Sequence, residues 1–444
     1  MSASPPPSTV KRALASHAAV GLVAGALLYL VCLTGTISVF YAELQRLEQP
    51  DAPEMSEIAP SAAQRAVTAV LATERPATEH LYVHLPVSDL PRTTITTDNR
   101  AVHVAADGSL AGPEEIAWSD FLVALHYELN VPGLVGLTVV GALGAMILAL
   151  VISGLVAHPR IFRDAFRLRA RDAGGIGLAD WHNRLSVWTL PFSIAIALTG
   201  AMIGLASVTA YGIASFYHDG DLEAVYAPLF GEEGPKDESP APAPNVARAL
   251  AYMQTHYPSV TPIYAFVHEP LTRGQTIQIW AKHPRRLIFA EYYHFDADGA
   301  FRHTTGLADG KLGQQLAASA YDLHFGNYGG LPVKLAYVLF GTALTAICAT
   351  GIYIWLGKRR RRGLNEPRLR KTWDAVVWGS PLLVALTLAV RLAFGNAAPF
   401  VALFWSGFAV ILAAALLPLP PERFRRWLFG LLAMACGGVV ILSI

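Results

Sequence analysis

The chain has 444 residues, 53% hydrophobic and 15% charged, whereas soluble domains carry roughly a quarter charged residues, so an ordinary soluble enzyme is excluded. Lys plus Arg (34) and Asp plus Glu (33) nearly cancel, which excludes a bulk basic surface and with it a nucleic-acid partner. Cys32, Cys348 and Cys436 all fall in apolar runs with no Cys-x-x-Cys. A thiolate zinc site, a four-Cys iron–sulfur cluster and c-type haem attachment are therefore excluded as well.

A bilayer crossing needs about 20 mainly apolar residues, and seven stretches qualify: about 17–41, 134–157, 185–209, 332–356, 375–394, 399–418 and 424–443. The first is too long for a signal peptide and is read as a retained helix. In chain order the expected organisation is a cytoplasmic tail and first span (1–41), an exoplasmic domain (42–125), a second span (126–157), a basic loop (158–183) and a third span (184–209). A second exoplasmic domain (210–330), a fourth span (331–357), a second basic loop (358–373) and an extension of three spans (374–444) complete it. Basic residues near helix ends mark the cytoplasmic side. Lys11 and Arg12, five arginines between Arg160 and Arg171, the run KRRRRGLNEPRLRK (Lys358 to Lys371), and Arg423, Arg425 and Arg426 supply 18 of the 34 basic residues. The two long loops hold 13 basic and 26 acidic residues. The expected orientation has the N-terminus cytoplasmic and both long loops and the C-terminus exoplasmic.

Each long loop reads as a linker and a small α+β domain. Residues 51–63 and 228–244 are rich in Pro, Ala, Asp and Glu. After the first comes a helix at 61–74, then strands LYVHL (81–85), TTITT (93–97) and AVHVAADGSL (101–110), with a turn at Asp107-Gly108. The second loop repeats the order: helix at 245–257, strands at 261–269, 275–282 and 288–306, and a turn at Asp298-Gly299. The fold class is a polytopic α-helical membrane protein, about seven transmembrane helices, with the two small domains inserted in a duplicated helix–domain–helix unit.

These strands and turns (VHVAADGSLAG; YYHFDADGAFRHTTG), their position between spans, and Thr-Gly pairs inside the spans resemble the PepSY-associated transmembrane family, which includes PiuB-like iron-regulated membrane proteins. The resemblance covers about 1–357. It implies PepSY-like exoplasmic domains and an inner-membrane reductase that converts ferric siderophore, Fe(III), to Fe(II) for iron release.

The spans repeat too. His17 lies 18 residues before Gly35 of Thr34-Gly35, and His182 lies 18 before Gly200 of Thr199-Gly200. His126 lies 28 residues before Gly154 of Ser153-Gly154, and His324 lies 27 before Gly351 of Thr350-Gly351. Topology then sets one histidine pair at each membrane face, His17 with His182 and His126 with His324. Inward-facing imidazoles in a helix bundle are a usual cofactor cage, and paired neutral imidazoles suit b-type haem iron. Two bis-His haems are expected. His158 and His218 stand as second-choice ligands, since neither has a repeat mate, and Arg391 either snorkels or meets a haem propionate. His80, His84 and His103 are candidates to share one sheet face and meet iron or a chelate.

The chain has no G-x-G-x-x-G after a strand and no P-loop, so electrons would come from quinol or a cytoplasmic reductase. Chelators with hard oxygen donors hold Fe(II) poorly, so reduction frees the metal. An iron or siderophore permease without redox chemistry, or a PepSY-type regulator of a secreted peptidase, remains open on sequence. So do the siderophore, the donor, the number of haems, the ligand pairing and the oligomeric state.

Overall fold

The computed structural model describes residues 8–163, 165, 166, 176–231 and 237–443. Helix α1 (Thr9–Ser38) leads to α2 (Tyr41–Glu48), α3 (Pro60–Thr73), strands β1 (His80–His84), β2 (Thr93–Thr97), β3 (Ala101–Val104) and β4 (Leu110–Pro113), then α4 (Ala117–Tyr127) and α5 (Leu134–Ala157). The same order returns as α6 (Ile176–Trp188) with α7 (Leu190–Tyr217), α8 (Glu223–Phe230), α9 (Val246–His256), β5 (Thr261–His268), β6 (Thr276–Lys282), β7 (Glu291–Phe295), β8 (Phe301–Thr304), α10 (Leu312–Phe325) and α11 (Gly330–Arg361). Helices α12 (Pro367–Phe394), α13 (Phe400–Ala414) and α14 (Pro421–Leu442) follow. They group into a helical unit, residues up to 41, 117–206 and 331 onward, and a sheet unit, 42–116 and 207–330.

Among the described residues six helices, α1, α5, α7, α11, α12 and α14, are long and apolar enough to cross a bilayer. The seventh expected span is shorter: α13 has 15 residues, about 22 Å at 1.5 Å per residue, because the chain turns at Ala415 ahead of Pro418 and Pro420. Several boundaries also move. His126 and His324 sit on the separate short helices α4 and α10, not at the starts of the spans. Between α4 and α5 the backbone takes positive φ at Leu129, Asn130 and Gly133, which ends one helix before the next begins. His182 lies on α6, which is interrupted at Thr189 before α7. Pro191 has no N–H to continue the ladder there, whereas the matching stretch of α1 is unbroken.

Helix α1 packs against α4, α5 and α12, and α12 is further covered by α13 and α14. A Cβ on Gly141 would lie 2.7 Å from the Gly204 backbone, and one on Gly144 would lie 2.9 Å from Ala201 N. Only small residues permit α5 and α7 to approach so closely, the usual solution where lipid gives no hydrophobic drive.

In the sheet unit the two expected α+β domains are joined. One antiparallel sheet runs β4-β3-β2-β1-β5-β6-β7-β8, because β1 and β5 pair directly, Tyr82 opposite Phe266. Two exposed edge strands are thus removed at once. Leu81, Val83, Ala265, Val267, Ile277 and Ile279 alternate onto the face that α3 and α9 cover, forming one core for both repeats. The Gln64 side chain ties the two helices, donating to Pro244 O (3.0 Å) and accepting from Ala247 N (3.1 Å). Both Asp-Gly turns use their glycine: Gly108 has φ +87° and Gly299 φ +76°, and a Cβ on Gly299 would lie 2.5 Å from Asn245 O. Each turn is pressed onto the start of its own repeat's helix.

Candidate functional site: a histidine pair shared by the two repeats

His17, from the first helix of repeat one, and His182, from the first helix of repeat two, come together in the helical unit. Their ring centres are 6.3 Å apart and their planes stand at 89°. Each imidazole is held by the second helix of its own repeat. His17 Nδ1 lies 3.0 Å from Leu150 O and 3.1 Å from Ser153 Oγ. A carbonyl only accepts, and Ser153 Oγ spends its own proton on Ala149 O (2.7 Å). Nδ1 of His17 therefore carries the hydrogen. His182 Nδ1 lies 3.0 Å from Thr350 Oγ1, whose hydroxyl donates to Ala346 O (2.7 Å), so this Nδ1 is a donor as well. Both neutral rings keep a lone pair on Nε2, the state a metal ligand requires.

The spacing has a physical reading. Two imidazoles bound through Nε2 to opposite sides of one metal, with bonds of about 2.0–2.1 Å and about 1.1 Å from each nitrogen to its ring centre, place those centres roughly 6.3 Å apart. The observed 6.3 Å is compatible with that spacing. It is too long for a direct hydrogen bond between the rings.

Glycines of the Ser/Thr-Gly pairs seat the rings. A Cβ on Gly154 would be 3.4 Å from His17 Cε1, and one on Gly351 would be 3.5 Å from His182 Cε1. The small residue thus makes room for an imidazole, and the preceding hydroxyl orients it. From sequence, these pairs read either as close helix contacts or as room for a haem face; their link to the histidines spans 136 residues for Ser153 and 168 for Thr350, beyond any local pattern.

His126, on α4, has the same arrangement: Nδ1 lies 2.9 Å from Val31 O, and a Cβ on Gly35 would lie 2.5 Å from its Cε1. His324 belongs to the sheet unit, on α10, half-buried beside Phe325. Of the second-choice residues, His158 is exposed just after α5 and within electrostatic reach of His17 and His182. His218 is exposed after α7. Arg391 is buried in α12.

On the sheet, His80, His84 and His103 do share the face opposite α3 and α9, but each has its own partner. His80 Nδ1 meets Asp98 Oδ1 at 3.0 Å, and its ring meets His268 at 5.4 Å. His84 bonds Thr96 Oγ1, and burial pushes its pKa down to about 4. His103 is held between Thr94 and Gln49. Burial pushes His294 down to about 4 as well, with His303 stacked on it at 4.3 Å. Among the described residues no cluster of three or more His, Cys, Asp or Glu forms a metal site. Three polar features of the helical unit went unread in the sequence: a thiol contact of 3.9 Å between Cys32 and Cys348, a bond of 2.6 Å from Tyr353 to buried Asp374, and an arginine-lined cavity considered below.

Fold and site together define a polytopic helical membrane protein built by duplication, with an α+β sheet unit between its spans and paired histidines in its helices. The family model described as the PepSY-associated TM region matches residues 14–358, and the chain belongs to that family. It is 27% identical over 339 residues to the uncharacterized protein PA4219 of Pseudomonas aeruginosa, covering 71% of this chain and 84% of that protein.

Proposed function

We propose that the protein is an inner-membrane reductase that passes electrons across the bilayer through b-type haem and delivers them to a ferric siderophore in the periplasm. The observation that carries this reading is the His17–His182 pair: one tautomer fixed on each ring, and ring centres 6.3 Å apart at 89°. Bound haem would supply one-electron exchange between Fe(III) and Fe(II). The chain's own residues do the rest. His17 and His182 would hold the iron, Leu150, Ser153 and Thr350 keep both rings oriented, and the apolar helices exclude water. His126 and His324 are proposed as the second pair on their repeat positions, with His126 oriented by Val31 O. The basic connections support an orientation with the N-terminus in the cytoplasm and the sheet unit in the periplasm. Electrons would then enter from quinol or a cytoplasmic reductase near His17 and His182.

The test uses the full chain in proteoliposomes, with reductant on one side and a ferric chelate on the other, following Fe(II) with a membrane-impermeant indicator. His126→Ala and His324→Ala should abolish reduction and remove one haem. His17→Ala and His182→Ala should leave that haem in place and stop its supply of electrons. Chelate crossing the membrane with its iron still Fe(III) would favour a permease and overturn the proposal.

A further inference from the structure

A cavity of about 280 Å³ opens in the helical unit where α6, α11, α12 and α14 meet, at helix ends carrying much of the chain's positive charge. Four guanidinium groups line it, Arg360, Arg361, Arg370 and Arg425, beside the apolar side chains of Leu178 and Ile354. A second cavity of about 270 Å³ shares Arg360 and Arg370. Three carboxylates lie near. Asp374 is bonded to the Tyr353 hydroxyl and lies within electrostatic reach of Arg370 and Arg425, Glu366 is paired through both oxygens with Arg359, and Glu366 and Glu422 line the second cavity. None of them lines the first cavity, whose charged lining groups are all guanidinium. Arg370 Nε is buried and meets no acceptor among the described residues. A buried donor left without a partner costs about 1–3 kcal/mol, and an oxyanion placed in the cavity would satisfy it.

Guanidinium groups bind phosphate through planar paired N–H donors. Basic pockets between transmembrane helices suit anionic lipid head groups, and the apolar wall of Leu178 and Ile354 offers contact to a glycerol backbone. We propose that this cavity holds the phosphate of an anionic phospholipid and so anchors α11, α12 and α14 to one leaflet.

The test is lipid retention by the delipidated full chain, offered phosphatidylglycerol or phosphatidylcholine in detergent and read by native mass spectrometry. Wild type should retain phosphatidylglycerol in preference. Arg370→Gln and Arg425→Gln should each weaken retention about five-fold, and the double variant roughly 25-fold. Arg426→Gln, exposed and outside the cavity, should change nothing. Should Arg370→Gln fail to fold by gel filtration, Arg360→Gln carries the same expectation. Equal retention of the two lipids, or variants that retain as much as wild type, would overturn the proposal. Displacement of the lipid by millimolar inorganic phosphate would also overturn it, reassigning the cavity to a soluble phosphate-bearing ligand.

Discussion

Replacing Thr350 by valine tests whether the hydroxyls beside the histidines orient metal ligands. The change keeps the branched shape but removes the oxygen 3.0 Å from His182 Nδ1. It also removes the hydroxyl's bond to Ala346 O, a loss of about 0.5–1.5 kcal/mol to the fold. Loss of a partner that orients a ligating histidine weakens metal binding about 10–100-fold, roughly 1.4–2.7 kcal/mol. Thr350→Val and Ser153→Ala should both sit at the weak end of that range, because His17 Nδ1 keeps Leu150 O at 3.0 Å and His182 keeps its backbone partner Ile347. Haem content and the rate of haem loss to apomyoglobin, measured on purified full-length variants, check this: Thr350→Val and Ser153→Ala similar to each other, both faster than wild type and both slower than His17→Ala. If His17→Ala and His182→Ala kept their haem, the ligand assignment would fail. If only the hydroxyl variants were silent, the orienting role would fail and the ligands would stand.

The 89° between the two rings predicts a low-spin ferric electron paramagnetic resonance signal of the strongly anisotropic kind given by perpendicular axial imidazoles, where parallel rings would give an ordinary rhombic spectrum. Gly299→Ala should lower the melting temperature of the sheet unit, since it forces a side chain into φ +76° and against Asn245 O, a strain of about 1–3 kcal/mol. Gly313→Ala, in open space on α10, should be neutral or stabilising by up to about 1 kcal/mol. The sheet unit should also weaken in mild acid. His84 and His294 are held at about 4, below the ordinary value near 6.5, so the unfolded chain takes up protons that the folded one refuses. Stability is then full above about pH 6.5, falls toward pH 4 and levels off below it, by at most about 3 kcal/mol per group. Hydrogen exchange of β1, β5 and β7 across that range should show the loss, and His84→Asn with His294→Gln should flatten it.

Local signals carried much of this architecture. Strand β2 lies where its alternation and β-branched residues put it, and both Asp-Gly turns fall as read, because turn chemistry is set by adjacent residues. The spacing of 18 residues that paired His17 with His182 also survived folding, although Pro191 interrupts one of the two helices and not the other. Non-local features were illegible. Nothing in the β1 sequence specifies β5, nearly two hundred residues away, as its neighbour, so the joined sheet looked like two. Ser153 and Thr350 read as part of small-residue pairs that let helices approach or leave room for a haem face, and only the fold brings their hydroxyls to the imidazoles. The arginines of the cavity were absorbed by the charge rule for orientation, which counts residues and is blind to how they converge.

The most direct test of the central claim is an absorption spectrum of the detergent-purified protein, oxidised and then reduced with dithionite, with haem quantified per chain. The account predicts close to two b-type haems with low-spin bands that persist in both oxidation states. No haem in a folded preparation made with ample haem supply would contradict it, and the His17–His182 pair would then need another explanation.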